Sequence, residues 1–100
     1  MLSLQTPQVQ TFLYSIKSKE TQNKYLHYLR YFQEWSKRNL EDLLTLNHKT
    51  LEEMLIQYII FMRDKNLSHG TIQVRIAPVV SFLLINDIVI NQKKLRKFTG

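Results

Sequence analysis

Cysteine is absent from the sequence, which excludes disulfide frameworks and thiolate metal sites. Glycine and proline number only two each, too few for a turn-rich β-sandwich or barrel, so helices joined by short polar connections are expected. Histidine is scarce as well. His27, His48 and His69 would all have to converge with a carboxylate to make a zinc site, so no metal or other cofactor is expected. No apolar run approaches the roughly 18 residues of a membrane span, and "MLSLQTPQVQ" lacks the charged and apolar regions of a signal peptide. The expectation is a cytoplasmic chain with no membrane partner. Nucleophilic chemistry also lacks its parts. No Ser, Thr or Tyr can be assigned a base and an orienting carboxylate by spacing, and no Gly-rich loop cradles a nucleotide. No catalytic residue is proposed.

Acids are the other shortage, eight against 14 Lys and Arg, and they are unevenly placed. Residues 1–40 hold six bases and two acids, residues 41–64 two and five, and residues 65–100 six and one. Two basic segments flank an acidic one, a pattern that suggests one polyanion-facing side and an opposite side. With 44% hydrophobic residues in 100, the chain can close one modest core.

Hydrophobic spacing predicts four helices, with a fifth short one open. The first has Thr6 as cap, Pro7 at its first position, and Val9, Phe12, Leu13 and Ile16 on its apolar side. The second runs from after Ser18 to about Arg38. Tyr25, Tyr28, Leu29, Phe32 and Trp35 fall in one arc, opposite His27, Arg30, Glu34 and Arg38, and these aromatics are expected to supply most of the core area. Tyr31 lies off that stripe. A loop follows, pinned by Leu40, Leu43, Leu44 and Leu46. Thr50, with Glu53 three residues on, reads as a capping box for a third helix reaching about Lys65, expected to be the most enclosed. The fourth starts after Ser68, with Ile72, Ile76, Val79 and Leu83 on one face and a kink expected at Pro78. "INDIVINQ" reads as a turn and extended segment or a short fifth helix.

"SKET" at 18–21 and "SHGT" at 68–71 are each Ser-x-x-Thr before an apolar helical period. Both serines read as caps. The same ends expose unpaired amides that suit phosphate, with Lys24 and Arg75 following one turn later. Gly70 would permit close backbone approach. "HYLR" at 27–30 resembles a phosphoryl-transfer pair, yet it lies on an outer helix face beside Glu34, and a solvated face or an Arg30–Glu34 pair is the better account.

"TQNKYLHYLRYFQEW", "YIIFM", "LSHGTIQVRIAPVVSF" and "INDIVIN", in that order, resemble the N-terminal core-binding domain of tyrosine recombinases of the phage-integrase type. The similarity spans about Ser18 to Asn91 and is carried by Thr21, Tyr25, Leu29, Phe32 and Trp35, then by Ser68, Thr71, Ile72 and Phe82. It implies an all-α, compact orthogonal bundle of four to five helices (SAM-like) that holds one half of a DNA site. A separate C-terminal domain with the tyrosine nucleophile would clasp the other side. Carried onto this chain, the DNA-facing groups are Ser18, Lys19, Thr21 and Lys24, then Ser68, His69, Thr71, Gln73 and Arg75, with Gln73, Arg75, Lys24 or Asn23 reading bases. Residues 1–91 would form the domain. Residues 92–100, with Lys93, Lys94, Arg96 and Lys97, would be a basic linker toward an absent catalytic half. Expected partners are double-stranded DNA and, in a full-length protein, neighbouring recombinase protomers; the domain alone would be monomeric.

The chain departs from the family pattern at Asn66, where Gly is frequent, at Gln92, where Pro is frequent, and at Pro78. The catalytic Arg, Lys, His-x-x-Arg and Tyr set is absent, so this chain alone is not expected to cut DNA. Three other readings remain open: a helical protein-interaction or dimerisation module, a stand-alone small DNA-binding regulator, and an inhibitor of recombination made of this domain alone. The thirteen-residue loop from Arg38 to Thr50 argues against a helix-turn-helix regulator.

Overall fold

The structure, a computed structural model, describes residues 2–99, and those residues form an all-α bundle. Its elements are α1 (Pro7–Tyr14), α2 (Lys19–Ser36), a short 3-10 helix (Leu40–Thr45), α3 (His48–Asp64), α4 (His69–Ile85) and α5 (Gln92–Arg96). Capping chemistry sets the starts. The Thr6 hydroxyl accepts from the Val9 amide at 3.4 Å, with Pro7 supplying the pre-set first turn. Ser18 accepts from Thr21 N at 3.3 Å and Ser68 from Thr71 N at 3.2 Å, as their positions predict. The third start differs from the sequence reading: Asn47 is the cap, its Oδ1 accepting from Thr50 N at 2.8 Å. Thr50 is therefore the donor in this cap, inside the first turn. Asn is as good a cap as Thr, and using it lets His48 extend the helix by nearly a turn.

Three helix ends close through left-handed residues: Lys37 (φ 60°) caps α2, its amide donating to Gln33 O, and two more follow α3 and α4. Asn66 (φ 62°) follows α3 and Asp87 (φ 65°) follows α4. The next amide in each case, Leu67 and Ile88, donates back to Met62 O at 3.2 Å and Leu83 O at 2.9 Å. Asn66 thus does what a glycine would do there.

The core gathers around α4, which packs against α1, α2 and α3. Ile72, Ile76, Pro78, Val79, Val80, Phe82 and Leu83 are buried. This corrects the expectation that α3 is the most enclosed helix. Periodicity misled because α4 is apolar on nearly all sides, so its faces are shared among several neighbours. Pro78 does not divide the helix, which runs unbroken through it; the cost is the donor that Val74 O would otherwise receive. On α2 only Leu29, Phe32 and Gln33 are fully buried, while Tyr25, Tyr28 and Trp35 are half-buried. The aromatics work as bridges: Phe12 meets Phe82 edge-on at 5.8 Å, and Phe32 meets Tyr58 edge-on at 5.0 Å. Leu40 and Leu43 pin the connection to the body, and Gln33 Oε1 accepts from Leu40 N at 3.0 Å.

The C-terminal segment is folded. Residues 92–99, read from the sequence as a linker, place Leu95 and Thr99 in the interior and rest on α3 and α4. Arg63 Nη1 donates to Phe98 O at 3.2 Å, and Lys94 Nζ to Glu52 Oε1 at 3.1 Å. Leu95 and Phe98 give the tail an apolar side, which is why a segment so rich in lysine docks. Packing continues past residue 91.

Candidate nucleic-acid interface

Contacts along α2 and α4 run in opposite directions. Tyr31, late in α2, carries Arg75 from early α4. Tyr25, early in α2, lines one hollow with Ser81, Leu84 and Ile85 from the end of α4. The two helix starts at Ser18 and Ser68 therefore lie toward different ends of the shared contact. The two Ser-x-x-Thr motifs are therefore separate features and do not form one phosphate-binding tip. The pairing of α2 with α4 across the core, with the 3-10 helix and α3 between them in sequence, imposes this, and neither motif encodes it.

A different juxtaposition holds. Lys24 and Tyr31 are seven residues apart on α2, two turns, and so share a side about 10 Å apart along the axis. Arg75 sits on the Tyr31 ring with its guanidinium carbon 4.6 Å from the ring centroid. Lys24, His27, Tyr31 and Arg75 thus occupy one flank of the α2–α4 pair, His27 touching Tyr31 ring to ring at 4.6 Å. Lys24 pairs only loosely with Glu20, 3.7 Å apart and both exposed, a contact worth little in water. Arg75 has no carboxylate within salt-bridge distance among the described residues.

Within electrostatic reach of Arg75 is Tyr58 of α3, 2% exposed, with its hydroxyl unpartnered among the described residues. Burial pushes this phenol up to about 12; the Arg75 charge acts the other way, and Tyr31 adds a small rise. Tyr58 is therefore neutral at physiological pH and leaves the charge of Arg75 uncompensated. Arg75 Nε is likewise sealed and unpartnered, whereas its terminal nitrogens carry no hydrogen bond among the described residues and are not sealed in that way.

The remaining expected site residues disperse. Ser68 Oγ donates to Thr71 Oγ1 at 2.9 Å as well as capping α4, so these hydroxyls already serve each other. Ser18 and Lys19 are exposed and Thr21 is half-buried. His69 Nδ1 lies 2.9 Å from Thr99 Oγ1, turned toward the tail. Gln73 is two residues from Arg75, about 200° around α4, and lines a cavity of about 190 Å³ with Arg96 and Thr99. Gln73 and Arg75 cannot read one patch of bases together. Lys93 and Lys97 are exposed on the tail, but Lys94 is spent on Glu52. Gly70 faces open space, where a Cβ would meet nothing within 4 Å.

Glu52 is a residue the sequence reading missed. It is buried, and the Lys94 ammonium hydrogen-bonded to it holds its carboxyl below the usual carboxylate range; burial opposes this, and the Asn91 amide and the charges of Lys94 and His48 assist. His48 Nε2 stands 3.7 Å from the carboxylate and donates to Val89 O at 2.7 Å. The i,i+4 spacing of His48 and Glu52 was a visible signal; the long-range partner Lys94 was not. The "HYLR" pair has no phosphoryl-transfer geometry to offer: His27 packs on Tyr31, and Arg30 lines a shallow hollow with Leu2, Ser3, Gln5 and Glu34. Arg30 and Glu34 form no ion pair among the described residues.

Among the described residues no group of three His, Asp or Glu side chains is placed to hold a metal ion, and no helix is long and apolar enough to cross a membrane. Compared with protein-family models, curated proteins and solved structures, the chain matches none.

Proposed function

We propose that the chain is a duplex-DNA-binding module that acts as the core-binding part of a site-specific tyrosine recombinase or integrase, positioning a half-site for a separate catalytic domain. The observation that carries this reading is the Arg75 guanidinium, free of any carboxylate among the described residues, seated on Tyr31 and on the same flank as Lys24. A planar, charged, two-pronged donor suits phosphate oxygens or the acceptor edge of guanine. The sequence resemblance and the segregation of charge along the chain support the same reading, as does the all-α fold. Phosphate contacts would set position, and base contacts, if made by this flank, come from Arg75 and its neighbours on α2. Gln73 and Arg96 belong to a second surface near the tail. No reaction is assigned to this chain alone.

The experiment is an electrophoretic titration with random and site-bearing duplexes at about 50 and 200 mM salt. Several phosphate contacts should cost orders of magnitude in affinity across that range. Binding indifferent to salt, or none at either level, removes this reading.

A second reading, a protein-interaction module, is favoured by one feature: a hollow lined by Phe12, Ile16, Tyr25, Leu84 and Ile85, with Leu84 54% and Ile85 44% exposed. It predicts concentration-dependent association in sedimentation and no response to DNA.

A further inference from the structure

We infer that Tyr31 is a positioning residue: its ring is the seat that holds the Arg75 guanidinium edge-outward, turning a flexible cation into a fixed two-pronged donor for an acceptor pair on the nucleic acid. The inference rests on the DNA reading for the identity of the ligand, but not for the seat itself.

Four observations carry it. The guanidinium carbon lies over the Tyr31 ring, 4.6 Å from its centroid, a cation–π contact between two different helices. Of the guanidinium nitrogens only Nε is sealed from solvent without a partner, so the inner edge of the group is turned into the protein. Tyr58 of α3, near enough for the Arg75 charge to act on its phenol, is held by edge-on contact with Phe32 at 5.0 Å and by Trp35 at 5.0 Å. His27 packs on Tyr31 at 4.6 Å and limits its rotation. An arginine normally loses much side-chain freedom when it binds; one already stacked has lost part of it in advance, which is the gain from preorganisation. The planar group also matters, because lysine can neither stack this way nor offer two parallel N–H bonds.

The test uses the full chain and three variants, Tyr31→Phe, Tyr31→Leu and Arg75→Lys, each checked for an unchanged thermal transition. Two readouts are taken: the Arg75 Nε–Hε resonance by heteronuclear NMR, and affinity for a short random duplex by fluorescence anisotropy. Wild type and Tyr31→Phe should show a ring-shifted Hε protected from solvent exchange. Tyr31→Leu should return it to an ordinary, fast-exchanging position and weaken DNA binding about tenfold, the scale of a well-formed cation–π contact. Arg75→Lys should weaken binding at least as much although the charge is kept. An ordinary Hε resonance in the wild type overturns the seat whatever the DNA result. DNA affinity in Tyr31→Leu equal to wild type overturns the positioning role. A shifted, protected resonance in a wild type that binds no DNA supports the seat and counts against the DNA reading, so the two failures are distinguishable.

Discussion

Lys94 of α5 reaches across 42 residues of sequence to Glu52 of α3, Nζ to Oε1 3.1 Å, and this contact fastens the end of the chain to the bundle. A buried carboxylate is costly unless its charge is answered, and here Lys94, the Asn91 amide and His48 answer it.

That arrangement fixes the acid response. Glu52 has its folded pKa below the ordinary value of 4.5, so the stability it contributes is fully present above that value and is lost as pH falls through the lower folded one. Chemical denaturation between pH 6 and 3, pH values chosen to bracket about one to two units on either side of the carboxylate range, should show stability falling on the acid side. Glu52→Gln should remove part of the slope. At neutral pH Lys94→Ala should cost about 1 kcal/mol, less than a fully buried charge-assisted bond because the ammonium is half-exposed. An unchanged acid slope in Glu52→Gln contradicts this.

Asn47, rather than Thr50, should be the sensitive position at the start of α3. Asn47→Ala removes the acceptor for Thr50 N and should cost about 1 kcal/mol. Thr50→Ala keeps that amide and should change stability by less than about 0.5 kcal/mol. Denaturant midpoints of the two variants decide it.

Tyr58→Phe deletes a buried hydroxyl that has no partner in the chain while keeping the ring that packs on Phe32 and Trp35. Stability should hold or rise, because no hydrogen bond is lost and the cost of burying the group is relieved. The same variant should abolish the ionisation near pH 12 in an ultraviolet titration. A loss of more than about 1 kcal/mol would mean that the hydroxyl is bonded after all.

On the DNA side, Arg75→Ala and Lys24→Ala should each lower affinity and reduce the slope of log affinity against log salt by about one per phosphate contact removed. Lys94→Ala should leave that slope unchanged, since its ammonium is already committed to Glu52. Equal slopes for all three variants would dissolve the distinction between the Arg75 flank and the paired lysine.

Local chemistry made much of this chain readable. Thr6 with Pro7, Ser18 and Ser68 each stand at a helix start because a side-chain oxygen satisfies an amide two or three residues on, a relation contained in a few consecutive positions. The leucines after Arg38 signal a pinned connection for a different reason, four apolar side chains within a short polar stretch, and Leu40 and Leu43 are buried. Asn47 does not stand out in the sequence because Thr50 and Glu53 make a valid box of their own, and sequence does not rank two adequate caps.

An all-helical chain with capped starts, unevenly placed charge and enough apolar spacing for one core follows from neighbouring residues alone. Which cations stay unpaired depends on contacts between distant elements. Opposed packing of α2 and α4 separates two motifs that look alike and unites Tyr31 with Arg75, while docking of the tail commits Lys94 to Glu52. Helix period fixes which side of one helix a residue faces; which neighbour covers that side depends on how all the helices share a limited apolar surface.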